Sequence, residues 1–168
     1  MSDLGSTEVS EGYRESPVQN DRAGLLKAGA DAPKVLCVDD EPDVLRGLKR
    51  ILGTEFRIVT ADDPVTALSL LEHDHDFSVV IADVRMPRMD GGEFLTRAKN
   101  LSPMTTRLAL TGCVEWDPAD THPSDIFERL TKPCPVDRLH ASVAAAAKQH
   151  TLLTSLPEPL KRLCTSIS

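Results

Sequence analysis

Four short stretches of this sequence carry side chains suited to phosphoryl chemistry. Asp39, Asp40 and Glu41 follow one apolar run. Asp83 lies in Ile81-Ala-Asp83-Val-Arg-Met-Pro87-Arg-Met-Asp90-Gly91. Thr111-Gly112 follows a second apolar run, and Lys132-Pro133 follows Ile126-Phe-Glu-Arg-Leu-Thr131. If folding gathers Asp39, Asp40 and Asp83, the three carboxylates repel one another and need a compensating cation. An all-oxygen donor set suits a hard divalent ion, and a small, partly hydrated site favours Mg²⁺. A carboxylate beside such an ion can attack a phosphoryl group. Lys132 would add a second positive charge for the phosphoryl oxygens, and Thr111 a hydroxyl hydrogen bond. Neither G-x-x-x-x-G-K nor G-x-G-x-x-G occurs, so the phosphoryl donor must come from another molecule.

The surrounding pattern supplies the elements that must gather these residues. Lys34–Val38, Phe56–Thr60, Phe77–Ala82, Arg107–Leu110 and Ile126–Thr131 read as strands. The first and third are nearly continuous apolar runs, as expected of strands buried on both faces. Helical spacing runs from Pro42 to a stop at Gly53, from Pro64 to about Glu72, from Gly92 to Ala98, and from Pro135 to about His150. Between the fourth and fifth strands, Pro118 and Pro123 predict a fourth helix that is short or broken. Strands alternating with helices predict an α/β fold, a doubly wound five-stranded parallel sheet. Its functional crevice lies at the carboxyl ends of the strands, where all four stretches fall. Residues 1–32, acidic and poor in apolar periodicity, read as a flexible N-terminal tail. Residues 33–150 read as the domain and 151–168 as a C-terminal extension with room for one more helical turn.

Val38-Asp-Asp-Glu41, Asp83-Val-Arg-Met-Pro87 with Met89-Asp-Gly91, Leu110-Thr-Gly112 and Lys132-Pro133 resemble the motifs of the CheY-like receiver domain of two-component response regulators. The resemblance spans about residues 34–150. It implies the (βα)5 flavodoxin-like fold with strand order 2-1-3-4-5. It also implies that Asp83 is the phosphoacceptor and that Asp40 ligates Mg²⁺ directly. Asp39 would act mainly through water, and the Arg85 backbone carbonyl would complete the protein ligands. Thr111 resembles the switch hydroxyl, Lys132 the phosphoryl-pairing lysine, Gly112 the small residue that leaves room for a phosphoryl oxygen, and Pro133 the bearer of a cis peptide. The implied donor is a histidine kinase or histidine phosphotransfer protein. The implied output surface is the fourth helix, fifth strand and fifth helix, used by a downstream protein or for homodimerisation. A finer resemblance, through Asp83-x-Arg-Met-Pro87, Leu110-Thr-Gly112 and Leu130-Thr-Lys-Pro-Cys134, is to receivers joined to HD-GYP phosphodiesterases. One departure concerns switching. Receivers often carry Tyr or Phe three residues before the lysine, whereas this chain has Arg129, with Phe127 two residues earlier.

Simpler roles and other classes bound this reading. Asp39 and Asp40 could merely cap the helix opened by Pro42. His73 and His75 read as solvated loop residues, and Cys37 as a small core residue. The chain could be a degenerate receiver that binds a partner without phosphorylation. A haloacid-dehalogenase-like phosphatase would need D-x-D at its nucleophile strand, and position 85 is Arg. A signalling module, not an enzyme, is therefore expected. The 168 residues carry a net charge of −7 and only 4% aromatics, which argues against a direct nucleic-acid platform or an anionic membrane surface. Four widely spaced cysteines with no C-x-x-C fit a reducing, cytoplasmic setting.

Overall fold

Val35, Leu36, Cys37 and Val38 are all buried, as is every residue from Phe77 to Asp83. A strand with no exposed face must lie between two layers, and this chain builds both layers from helices. The computed structural model describes residues 28–112 and 126–166. Five strands, β1 (Lys34–Val38), β2 (Arg57–Ala61), β3 (Phe77–Asp83), β4 (Thr106–Thr111) and β5 (Glu128–Thr131), form one sheet in the order β2-β1-β3-β4-β5. Every neighbouring pair is parallel. The described helices are α1 (Pro42–Leu52), α2 (Pro64–His73), α3 (Gly91–Leu101), α4 (Val136–Ser155) and α5 (Glu158–Ser166). The stretch 113–125, where the sequence predicts the broken helix, lies outside the described residues, as do 1–27 of the expected tail.

Alternation along the strands divides the core. Val35, Cys37, Val79, Ile81, Leu108 and Leu130 pack under Leu45, Leu48 and Leu52 of α1 and Leu139, Val143, Ala146 and Ala147 of α4. Leu36, Val38, Val80, Ala82 and Ala109 face the other way, onto Ala67 and Leu71 of α2 and Phe94, Leu95 and Ala98 of α3. Side-chain period two in the strands and the apolar stripes of the helices are thus satisfied together. Cys37 is part of this core. Burial, helped by the charge of Asp39, pushes its thiol up to about 12, so it stays an unreactive packing group.

The helices start where the chain supplies a proline or a cap. Pro42 and Pro64 open α1 and α2 at positions where a missing N–H costs nothing. Asp63 and Asp90 accept backbone N–H groups at the starts of α2 and α3. The boundaries near the C-terminus differ from the sequence expectation. α4 continues past His150 to Ser155, and within that last stretch Thr151, Thr154 and Ser155 turn their hydroxyls back onto carbonyls one turn earlier, so they do not compete with the backbone ladder from outside the helix. It stops only before Pro157, where Leu156 takes the extended conformation that a following proline demands. Beyond it α5 has nine residues, not a single turn. β5 begins at Glu128, not Ile126, and buries only Leu130. Residues 28–32, expected as tail, are tied in place: Ala28 donates to the Gly53 carbonyl, and Arg57 donates from Nε to the Ala32 carbonyl at 2.9 Å.

Gly91 links fold to site. A Cβ placed there would lie 2.4 Å from the Asp83 carbonyl oxygen and 2.5 Å from Val84 Cα, both backbone. The first turn of α3 therefore rests directly on the end of β3. At Gly47, within α1, an added Cβ meets nothing within 4 Å. Gly91→Ala should destabilise the protein by about 1–3 kcal/mol, while Gly47→Ala should stabilise it by up to about 1 kcal/mol. Urea unfolding of the two variants checks both signs.

Candidate functional site

The carboxyl edge of the sheet is assembled by strand register. Asp39 follows β1, and its N–H donates to the Ala61 carbonyl at the end of β2. Asp83 ends β3 opposite Leu110 of β4. Thr111 ends β4 opposite Thr131, and the Lys132 N–H donates to the Thr111 carbonyl at 2.7 Å. The Lys132–Pro133 peptide is cis, as the resemblance implies.

Lys132 joins the two buried acids. Its Nζ lies 2.7 Å from Asp39 Oδ2 and 3.0 Å from Asp83 Oδ1. Asp39 and Asp83 are 1% and 7% exposed, too buried to carry charge without such a partner. Asp39 Oδ1 also accepts the Glu41 N–H at 2.9 Å, and Asp83 Oδ2 accepts the Arg85 N–H at 3.3 Å. Helix capping does not account for Asp39 and Asp40, because the N-cap of α1 is Glu41, without a side-chain cap. Desolvation alone would lower the Lys132 ammonium, but its hydrogen bonds to Asp39 and Asp83 and their charges outweigh it and hold the ammonium above its ordinary value.

Asp40, on the exposed side, completes the cluster: carboxylate oxygens of Asp39, Asp40 and Asp83 all lie within 4.8 Å of one another. At the effective dielectric of a protein surface each such pair repels by roughly 3 kcal/mol or more. One lysine spread over two of the three leaves the set under-compensated. The donor chemistry therefore fits a hard divalent cation, with Asp39, Asp40 and Asp83 as the side chains to hold it.

The other residues read from the sequence fall into two groups. Thr111 is buried at the same edge, and Gly112 has open space where a Cβ would stand. Arg85 follows Asp83 in the loop with its side chain exposed. Arg129 on β5 and Phe127 just before it are both exposed. His73 ends α2, its Nδ1 donating to the Ser69 carbonyl at 2.8 Å, and His75 is exposed. Among the described residues neither belongs to a three-ligand cluster. Cys134 packs partly against the core, and Cys113 lies outside the described residues. Sequence reading missed two contributors. Gly91, legible only as part of a motif, is the seat on which the Asp83 backbone rests. Arg88, given no role, stands at the mouth of the site with a positive φ of 73°.

Comparison with known proteins decides the family. The model of the response regulator receiver domain matches residues 35–144. The chain belongs to this family. The hydrogenase transcriptional regulatory protein HoxA of Cupriavidus necator is 32% identical over 120 residues, 70% of this chain and 25% of that protein. HoxA of Bradyrhizobium diazoefficiens is 30% identical over a similar stretch, 24% of its length. The chain thus spans about a quarter of these relatives. Among solved structures, one described as adenylate cyclase from Rhodopirellula baltica is 35% identical with a TM-score of 0.72, covering 77% of this chain and 98% of that one. The signal receiver domain of an HD domain-containing protein from Pseudomonas fluorescens Pf-5 is 30% identical with a TM-score of 0.66, covering 71% and 98%. The latter agrees with the finer resemblance read from the receiver's motifs. No helix among the described residues is long and apolar enough to cross a membrane.

The raised Lys132 ammonium has a pH signature. Its contribution to stability is fully present below about pH 10.4, the ordinary lysine value, and is lost as pH rises through the higher folded-state value. Lys132→Met should therefore be less stable than wild type at neutral pH, with a shallower alkaline loss. Denaturant midpoints measured from pH 7 to pH 11 provide the comparison.

Proposed function

We propose that this receiver accepts a phosphoryl group on Asp83 from a histidine kinase or histidine phosphotransfer protein, with Mg²⁺, in a cytoplasmic signalling pathway. The observation that carries the reading is Lys132 bridging Asp39 and Asp83, with Asp40 beside them. An Asp83 carboxylate oxygen attacks phosphorus as the bond from phosphorus to the donor imidazole nitrogen breaks. The bonding pair stays on that nitrogen, and the product is an aspartyl phosphate. Because Asp83 Oδ2 is held by the Arg85 N–H, the nucleophile is oriented before the donor arrives. Lys132 Nζ, already 3.0 Å from Asp83, transfers its interaction to a phosphoryl oxygen without leaving Asp39. The Thr111 hydroxyl donates to another phosphoryl oxygen, and the open space at Gly112 leaves room for it. Mg²⁺, held by Asp39, Asp40, Asp83 and the Arg85 carbonyl, would neutralise phosphoryl oxygens as charge develops on them.

The phosphorylated state would be read on the surface of β5 and α4, by a downstream protein or a second copy. Incubation with acetyl phosphate and Mg²⁺ should add one acid-stable, alkali-labile phosphoryl group, visible as a Phos-tag mobility shift. Asp83→Asn should abolish the shift while keeping the circular dichroism of the wild type. Equal incorporation in Asp83→Asn would sink the assignment, and failure of wild type to incorporate phosphate would favour the degenerate, phosphorylation-independent receiver.

The cation has its own test. Mg²⁺ should raise the melting temperature of wild type by mass action, and Asp40→Ala should lose most of that rise. Without metal, Asp40→Ala should melt no lower than wild type, because one repulsion is gone. A metal-dependent rise as large as that of wild type would remove Asp40 from the ligand set.

A further inference from the structure

Beside the acidic cluster lies an open cleft of about 270 Å³, lined by Asp40, Asp62, Asp63, Pro64, Pro87 and Arg88. Three of these six residues are carboxylates and one is a cation. Lys132 serves Asp39 and Asp83 and does not line this cleft, so Arg88 is the one positive side chain among the residues that line it with Asp40. Its backbone is held at a φ of 73°. That left-handed region is open to Gly and unfavourable for residues with a Cβ, least so for Asn and Asp. The loop therefore presents a long cation at a position better suited to a small residue. The charge is felt locally: Asp63 lies below the ordinary carboxylate range, first through hydrogen bonds from Thr66 and, as a lesser cause, through the Arg88 charge.

We propose that Arg88 is an internal counter-ion that sets the divalent-cation affinity of the Asp39, Asp40 and Asp83 cluster. The inference rests on the reading that this cluster holds Mg²⁺. A guanidinium at the mouth offsets the field of Asp40, Asp62 and Asp63 and opposes the arriving dication. Binding must overcome that opposition, so the cation is held more weakly than the carboxylates alone would hold it. Without the guanidinium the same carboxylates would retain the ion more tightly. Arg88 here is a positioning charge and touches no reacting atom.

Isothermal titration of the full chain with MgCl₂ at low salt tests the proposal, using wild type, Arg88→Asn, Arg88→Lys and Asp40→Ala. Asn tolerates the left-handed backbone, so it removes the charge with little change in the loop. Arg88→Asn should bind Mg²⁺ roughly three- to ten-fold more tightly than wild type, as expected for losing one charge near a dication in a solvated cleft. The gain should shrink as NaCl rises to about 0.5 M, because screening removes interactions beyond a few ångström. Arg88→Lys should stay near wild type. Without metal, Arg88→Asn should melt lower than wild type and recover with Mg²⁺. Equal or weaker Mg²⁺ binding by Arg88→Asn, with wild type binding and Asp40→Ala impaired, would overturn the role of Arg88 alone. Absence of Mg²⁺ binding in wild type would overturn the metal reading itself, and this proposal with it.

Discussion

The bridge from Lys132 to Asp39 and Asp83 is the constraint on which the rest of this structure turns. Two acids that are almost completely buried sit at the ends of neighbouring strands. Neither could remain charged there alone, since an unpaired buried carboxylate is costly. The lysine reaches them from the far side of β4, because the Lys132 N–H extends the β4–β5 pairing by one rung to the Thr111 carbonyl. Strand order, register and the loop after β5 all have to be right for one ammonium to lie within 3.0 Å of both carboxylates. Electrostatics at this edge thus depends on the hydrophobic alternation that fixes the register several residues away. A one-residue slip of any of these strands would turn its last side chain to the other face.

That dependence explains why so much was legible from the chain alone. Apolar runs such as Val35–Val38 and Phe77–Ala82 have few alternatives to central parallel strands, and Pro42 and Pro64 mark helix starts by their chemistry. Once the strands are placed, residues that follow them converge on one edge whatever the details of the helices between. Asp39, Asp83, Thr111 and Lys132 could therefore be gathered without coordinates. What was not legible depends on distances that no periodicity encodes. The contact between Gly91 and the Asp83 backbone is a matter of ångströms. So is the place of Arg88, whose neighbours Asp62 and Asp63 come from the loop after β2. The C-terminal misreading has a different cause. Thr151, Thr154 and Ser155 are weak helix formers by intrinsic preference, yet no proline or glycine interrupts the chain before Pro157, and α4 outlasts the propensity signal until that proline forces Leu156 extended.

The same edge shows how charge is divided between interior and mouth. Lys132 is partly buried and directly hydrogen-bonded to two acids, so its effect is strong and short in range. Arg88 is exposed and lines an open cleft, so its effect is weaker, longer in range and sensitive to salt. One cation secures the geometry of the carboxylates, and the other adjusts the field met by whatever approaches them.

The edge strand sets a further condition on how a phosphoryl signal could leave the site. β5 buries only Leu130, while Phe127 and Arg129 face outward. In receivers with an aromatic residue at the position of Arg129, a ring can move between solvent and an apolar pocket at modest cost. A guanidinium cannot make that move unpaired, because its desolvation would exceed what a pocket of that kind returns. Glu128, next to it, is already paired with Arg138 of α4 at 3.3 Å, which ties the strand to the helix beside it. On the proposed reading, movement of Thr111 toward a phosphoryl group would therefore be transmitted through backbone and helix packing. The chain passes from Thr111 directly into 113–125, and the Thr111 carbonyl carries the Lys132 N–H. On the proposed reading a shift of Thr111 would be passed through that carbonyl to Lys132 and the loop that leads into α4. On that reading Thr111 and Lys132 would serve both the phosphoryl site and the route by which its state leaves it.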